Sequence, residues 1–340
     1  MARLSKRQLL RIVESSINSS GWNFLHLPAN GEHPARYHLY KDETGYRVKI
    51  YIWNISHGGG AARAANEYRI QITGIPNAAG RQEFVPELGG KTLILGWWDD
   101  VGVFAGFDYT KHSGELGASP SMQINEETLR AAHLSGFAPH NKGNGELAIA
   151  FRPDFIGSYI ENLEALHECG ESPQATHILD EIGDNPDDVD DAEIRREVPP
   201  ERQYAVISTK KALRDIGFRN RVLNAYGHRC AMCGVQLKLL DAAHILPVFH
   251  ADSTDETSNG ISLCTLHHRA YDKGFVTFDS RYGTHINEQM AAEFRRTSHD
   301  GGLDQFRGNL RPLLILPPDR RDRPNPDFVT ATNEMRGWNV

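Results

Sequence analysis

Three of the four cysteines in this 340-residue chain, Cys230, Cys233 and Cys264, fall in one short His-rich stretch, while Cys169 stands apart. Cys230-Ala-Met-Cys233 offers two thiols across a two-residue gap, and Cys264-Thr-Leu-His267 offers a thiol and an imidazole across the same gap. Together they make a Cys3His set. Soft thiolates with one imidazole suit Zn²⁺, and four protein ligands leave no open coordination position, so the expected ion staples loops rather than reacts. With so few cysteines, that spacing favours a metal over disulfides. The two pairs also frame polar residues that zinc does not need: DAAHILP and SNGISL lie between them, and HRAYD follows the second.

His244, Asn259 and His268, at separations of 15 and 9 residues, with Asp272 four residues further on, resemble the pattern of the HNH, or ββα-metal, endonucleases. The variety most similar is the zinc-stapled type of bacterial restriction endonucleases, in which the second knuckle runs straight into a helix, here LCTLHHRAYDKG. The resemblance covers about Phe218 to Phe278 and takes in the preceding helix FRNRVLNAYGHRC. It implies a DNA phosphodiesterase that needs a divalent metal. A neutral imidazole suits deprotonation of water near neutral pH, which makes His244 the expected general base. His268 and Asp272 stand at i and i+4 on one helix face, so an imidazole and a carboxylate are expected to converge on one Mg²⁺ or Mn²⁺. Asn259 cannot act as a base, but its amide can hold the loop that carries His244. Two positions depart from the family. Ala243 stands where a metal ligand often precedes the base, and Asp241 is nominated in its stead as metal ligand or orienter. Asp272 stands where His is frequent, which hardens the site toward Mg²⁺ or Mn²⁺. His267 is assigned to zinc because only it completes the gap from Cys264, leaving His268 for the catalytic ion. Arg269 and Lys273 on the same helix, and Arg63 far upstream, are the expected DNA contacts.

The elements that must position these groups form an α+β protein. Ser5 and Gln8 open an amphipathic helix ending near Gly21. Tyr46–Ile55 and Glu67–Gly74 alternate as strands, and KTLILGWW with VGVFAGF make a hairpin about Asp99-Asp100. A helix capped near Asn125, a strand in GELAIAF and a helix from Arg152 complete a mostly antiparallel sheet or partial barrel with flanking helices. The C-terminal part is expected to be the ββα-metal domain with its Cys3His zinc site.

Charge divides the chain. Residues 1–165 carry 16 basic and 17 acidic residues, residues 166–200 carry 2 and 11, and residues 201–340 carry 19 and 16. The expected organisation is therefore a DNA-reading domain at 1–165, an acidic linker at 166–200 and a nuclease domain at 201–340 with its core at 218–278. Between Asp180 and Glu193 there are eight acidic residues and no basic one, which favours a solvated linker and leaves room for an acidic mimic of DNA that covers a basic cleft. The near-neutral first part argues against a broad electrostatic footprint on DNA. It holds instead Trp22, Trp53, Trp97, Trp98, Phe104, Phe107 and Tyr109, and a loop His57-Gly58-Gly59-Gly60 with Arg63 suited to phosphate. Aromatics on strands are ordinarily core; if they line a pocket they can stack a flipped base. After Gly301, an apolar strand and a solvated Pro-rich tail with Arg320, Arg321 and Arg323 are expected.

The charge-broken N-terminus and the lack of any long apolar run point to a cytoplasmic protein without a membrane span. The combined reading is a bacterial restriction-type HNH endonuclease on double-stranded DNA, acting as a homodimer or by two sequential nicks. Its competitors are a defence effector whose first domain senses a small molecule or a protein and whose cutting is unspecific, and a DNA-binding protein that kept the zinc fold without catalysis.

Overall fold

The computed structural model describes residues 3–29, 31, 33–59 and 64–340. Contacts along the chain divide it into two compact units, Met1–Leu213 and Arg214–Val340. Arg63, the expected phosphate contact, lies outside the described residues.

The first unit is built on one large sheet. Helix Lys6–Ser19 starts at the predicted capping box of Ser5 and Gln8 and buries Leu9, Leu10, Val13 and Ile17. The strands run in the spatial order Asn23–His26, Ala35–Lys41, Thr44–His57, Lys91–Trp98, Val103–Phe107, Leu147–Phe151 and Phe137–Asn141. All of these pairings are antiparallel except that of Thr44–His57 with Lys91–Trp98. The far end of Thr44–His57 also pairs with Glu67–Gln71, which in turn pairs with Ser121–Asn125. The pairings do not return from Phe137–Asn141 to Asn23–His26, so among the described residues the mostly antiparallel sheet is open.

Trp22, Trp53, Trp97, Trp98, Phe104 and Phe107 are all buried in this unit. Trp53, Trp98 and Phe107 belong to one core cluster with Ile55, Ile70 and Met122, against which Tyr109 packs. None of the seven lines a cleft of about 740 Å³ in this unit that is walled by residues such as Arg36, Arg47, Tyr51 and Glu87. The aromatics are core.

Residues 166–200, expected as a linker, are folded. Ser172 caps helix Pro173–Asp184, which buries Ala175, Ile178, Leu179 and Ile182, and Asp190 caps a short helix Asp191–Glu197 around Ile194. The acidic count hid a helical period: apolar residues at 175, 178, 179 and 182 make one buried stripe and the carboxylates take the solvent side. Helix Pro200–Ala225 follows, 26 residues long, and the boundary between the two units falls within it. No helix among the described residues is long and apolar enough to cross a membrane.

The second unit contains a strand pair followed by a helix: Leu240–His244 lies antiparallel to Gly260–Cys264, and helix Thr265–Asp272 starts directly after Cys264. Hairpin Val276–Phe278 with Thr284–Ile286 comes next. The tail expected to be solvated is instead part of this core. Helix Pro326–Met335 buries Val329, Thr332 and Asn333. The Thr332 hydroxyl donates to the Ile245 carbonyl at 2.7 Å, and the Asn333 amide donates to the Phe278 carbonyl at 2.8 Å. Further polar bonds bind the terminus, among them Arg336 to the Tyr271 carbonyl at 2.8 Å and the Thr277 hydroxyl to Asn333 Oδ1 at 2.6 Å.

Candidate active site and metal centre

The four residues expected to hold zinc are brought together by the strand pair, the helix that follows it and the knuckle that precedes it. Cys230 lies in a tight turn in which its amide donates to the Val235 carbonyl at 2.9 Å and its carbonyl accepts from Gly234 at 2.8 Å. The Ala231 amide donates to the Ser262 carbonyl at 2.8 Å, which docks the knuckle on strand Gly260–Cys264. The ligand atoms of Cys230, Cys233, Cys264 and His267 all lie within 4.8 Å of one another. Cys233 and Cys264 sulfurs are 3.9 Å apart, and His267 Nδ1 is 3.3 Å from Cys264 Sγ and 3.6 Å from Cys230 Sγ. A tetrahedron with zinc–sulfur bonds of about 2.3 Å has edges of roughly 3.8 Å, so the donor set fits Zn²⁺ without rearrangement. Burial pushes the Cys230 thiol up, but the His267 ring and three backbone N–H groups outweigh it and bring it down to about 6. Cys233 is pushed up to about 12 by burial, with neighbouring sulfur charge adding to it, and Cys264 is raised for the same reasons. Crowded thiols that resist joint ionisation are what a divalent cation would relieve.

His244 ends strand Leu240–His244, opposite Gly260. Its ring lies flat on Phe218, with centroids 3.9 Å apart and planes 8° from parallel. The fit depends on Gly260: a Cβ there would run into Val222 and stand 3.0 Å from Phe218. His244 Nε2 is 3.0 Å from Asp255 Oδ1, a residue the sequence did not single out, and Asp255 Oδ2 accepts from Arg214 at 2.8 Å. Burial pushes the Asp255 carboxyl up, yet His244 and Arg214 together hold it below the usual carboxylate range.

Asn259 is fully buried and serves the loop between His244 and Asp255. Its Oδ1 accepts from the Leu246 amide at 2.8 Å, and its Nδ2 donates to the carbonyls of Leu246 and Thr254 at 3.2 and 2.8 Å and to the Ser253 hydroxyl at 3.2 Å. Its own carbonyl accepts from the Ile245 amide at 2.8 Å. One side chain thus fixes both ends of the loop.

His268 meets both nominated carboxylates, but on opposite sides of its ring. Nδ1 is 3.3 Å from Asp241 Oδ2, and Nε2 is 3.6 Å from Asp272 Oδ2. The hydrogen bond to Asp241 raises the His268 pKa above its ordinary value and lowers that of Asp241. An ion held through one ring nitrogen of His268 would have Asp272 beside it at Nε2 or Asp241 beside it at Nδ1, the two alternatives of ligand and orienter given to Asp241. Arg269 and Lys273 are exposed on that helix. Arg320 and Arg321 are exposed, while Arg323 Nε donates to the Pro317 carbonyl at 3.0 Å.

Comparison with known proteins agrees with this geometry. Residues 230–279 match the family model described as HNH endonuclease, and residues 46–160 match one described as Methylase-associated X1. A solved structure titled modification-dependent TagI restriction endonuclease is 11% identical, covering 86% of this chain and 81% of its own, with a TM-score of 0.30, a level that does not establish a shared fold. No curated protein matches. The strand pair, the following helix, the Cys3His cluster and the matched segment coincide, and residues 230–279 are an HNH endonuclease domain.

Proposed function

We propose that the chain is a restriction-type endonuclease that hydrolyses phosphodiester bonds of double-stranded DNA selected, by modification state, through its N-terminal unit. The observation that carries the catalytic part is the separation of roles around the strand pair: His244 with one ring nitrogen occupied by Asp255, and His268 with a carboxylate on each side. His244 takes the proton of the attacking water, and Asn259 holds the loop that presents it. At His268 the tighter Asp241 contact fixes Nδ1, which leaves Nε2 and Asp272 to hold a divalent cation, Mg²⁺ or Mn²⁺, while Asp241 orients the ring. That cation, when bound, supplies positive charge to the pentavalent phosphorane and the leaving 3′ oxygen. Arg269 and Lys273 sit on the same helix and serve the DNA backbone, and Arg63 is assigned the same task in the first unit. The Cys3His set holds Zn²⁺ as a fold element. A single active site per chain calls for a homodimer or for two sequential nicks.

The choice of modified DNA rests on residues 46–160, whose matching family is described as methylase-associated. The burial of the strand aromatics removes them as a base cage, so recognition falls to the polar surface of this unit. The test is plasmid cleavage with Mg²⁺ or Mn²⁺ on unmodified, cytosine-methylated and phage-modified DNA in parallel, without added activator. Discrete fragments from one modified substrate and none from unmodified DNA are expected. Equal fragmentation of all three would overturn the modification reading, and smears without discrete bands would favour an effector that cuts without selection.

A further inference from the structure

Asp255 is not among the residues whose type and spacing announce the site, yet it makes the only side-chain hydrogen bond to the His244 ring among the described residues. Its surroundings are built rather than incidental. Arg214, Phe218 and Arg221 stand at i, i+4 and i+7 on helix Pro200–Ala225, one face of that helix. Arg214 Nη2 donates to the Asp255 carboxylate at 2.8 Å, Arg221 Nη2 donates to the Asp255 main-chain carbonyl at 2.8 Å, and the Phe218 ring between them carries the His244 ring. Asp255 is thus held at both its side chain and its backbone, and His244 is held by a flat stack and a 3.0 Å hydrogen bond.

Resting on the assignment of His244 as base, we propose that Asp255 is a positioning residue that fixes the working tautomer of His244, with Arg214, Phe218 and Arg221 as its frame. An ionised carboxylate accepts and cannot donate, so His244 Nε2 carries the hydrogen and Nδ1 carries the lone pair. No described protein atom hydrogen-bonds Nδ1, which leaves it for water. In the hydrolysis, the water oxygen forms the new bond to phosphorus, its proton passes to Nδ1, and the bond from phosphorus to the 3′ oxygen breaks with the electron pair leaving on that oxygen. The imidazolium so formed is paired with Asp255, whose second oxygen stays on Arg214. An amide at 255 could instead donate to Nε2, which would put the hydrogen on Nδ1 and remove the base.

The test uses the full-length protein with zinc bound. Long-range ¹H–¹⁵N spectra of the wild type should show His244 as the Nε2–H tautomer; the Nδ1–H tautomer in the wild type would overturn the proposal without any variant. Asp255→Asn should lower kcat by about 10- to 100-fold with KM nearly unchanged, and Asp255→Glu should restore part of the loss. Zinc content and unfolding midpoint are measured on both, and a variant that loses either is set aside in favour of the wild-type spectrum. Full activity in a folded Asp255→Asn would sink the proposal. His244→Ala separates the two levels: if that variant still cleaves, the base assignment itself fails, whereas its inactivity beside a fully active Asp255→Asn removes only the role of Asp255.

Discussion

At the scale of single residues, His244 in the second unit has one ring nitrogen on Asp255, whereas some polar groups of the first unit serve the fold alone. Glu146 is the clearest of the latter. Burial alone pushes its carboxyl up, but hydrogen bonds with His112 and Lys142, both at 2.8 Å, outweigh burial and bring it down to about 2. The folded state therefore favours the ionised form, so the stabilisation is present above the ordinary value of 4.5 and is lost as pH falls from there toward about 2. Glu146→Gln should unfold at lower temperature than the wild type at pH 7, with the gap closing across that window. Thermal unfolding of both proteins against pH measures this, and a gap that stays constant from pH 7 to pH 2 would contradict it. Cys230, Cys233, Cys264 and His267 could be read from their two-residue gaps, and His244, Asn259 and His268 from their resemblance to the HNH pattern. Asp255 was not legible: its distance from His244 along the chain is set by a loop whose length follows no period, and its role depends on a helix thirty to forty residues upstream.

At the scale of elements, the strands whose side chains alternate were legible and the ones at the margins were not. Thr44–His57, Lys91–Trp98 and Val103–Phe107 carry long apolar patterns, whereas Asn23–His26 and Phe137–Asn141 are short and mix His, Pro and Asn. The acidic stretch failed for a different reason. The high charge density there masks the helical spacing of Ala175, Ile178, Leu179 and Ile182 among the carboxylates. Because Ile182 is fully buried, Ile182→Ala should cost the first unit about 2–5 kcal/mol, measured by denaturant unfolding. A change within about 0.5 kcal/mol, as for a solvated surface position, would show that this helix does not pack as described.

At the scale of the whole molecule, the chain joins a sheet unit to an HNH endonuclease unit through a helix that contributes to both. The second unit has a core of its own, with Phe218, Val222, Ile261, Tyr271 and Val329 buried together with the knuckle residues Cys230, Ala231 and Met232, and the Cys3His set ties that knuckle to Cys264 and His267. Zinc binding and folding should therefore be one process there. One zinc per chain is expected by elemental analysis, and Cys264→Ser or a strong chelator should lower the unfolding midpoint of this unit while the first unit keeps its own. A chelated protein whose midpoint does not move would contradict a structural zinc. The most direct test of the whole account is single-turnover cleavage of a modified plasmid with Mg²⁺ or Mn²⁺ by the wild type, His244→Ala and His268→Ala, with bound zinc measured in each. The account predicts cleavage by the wild type alone and unchanged zinc in all three; cleavage by His244→Ala at the wild-type rate would contradict it.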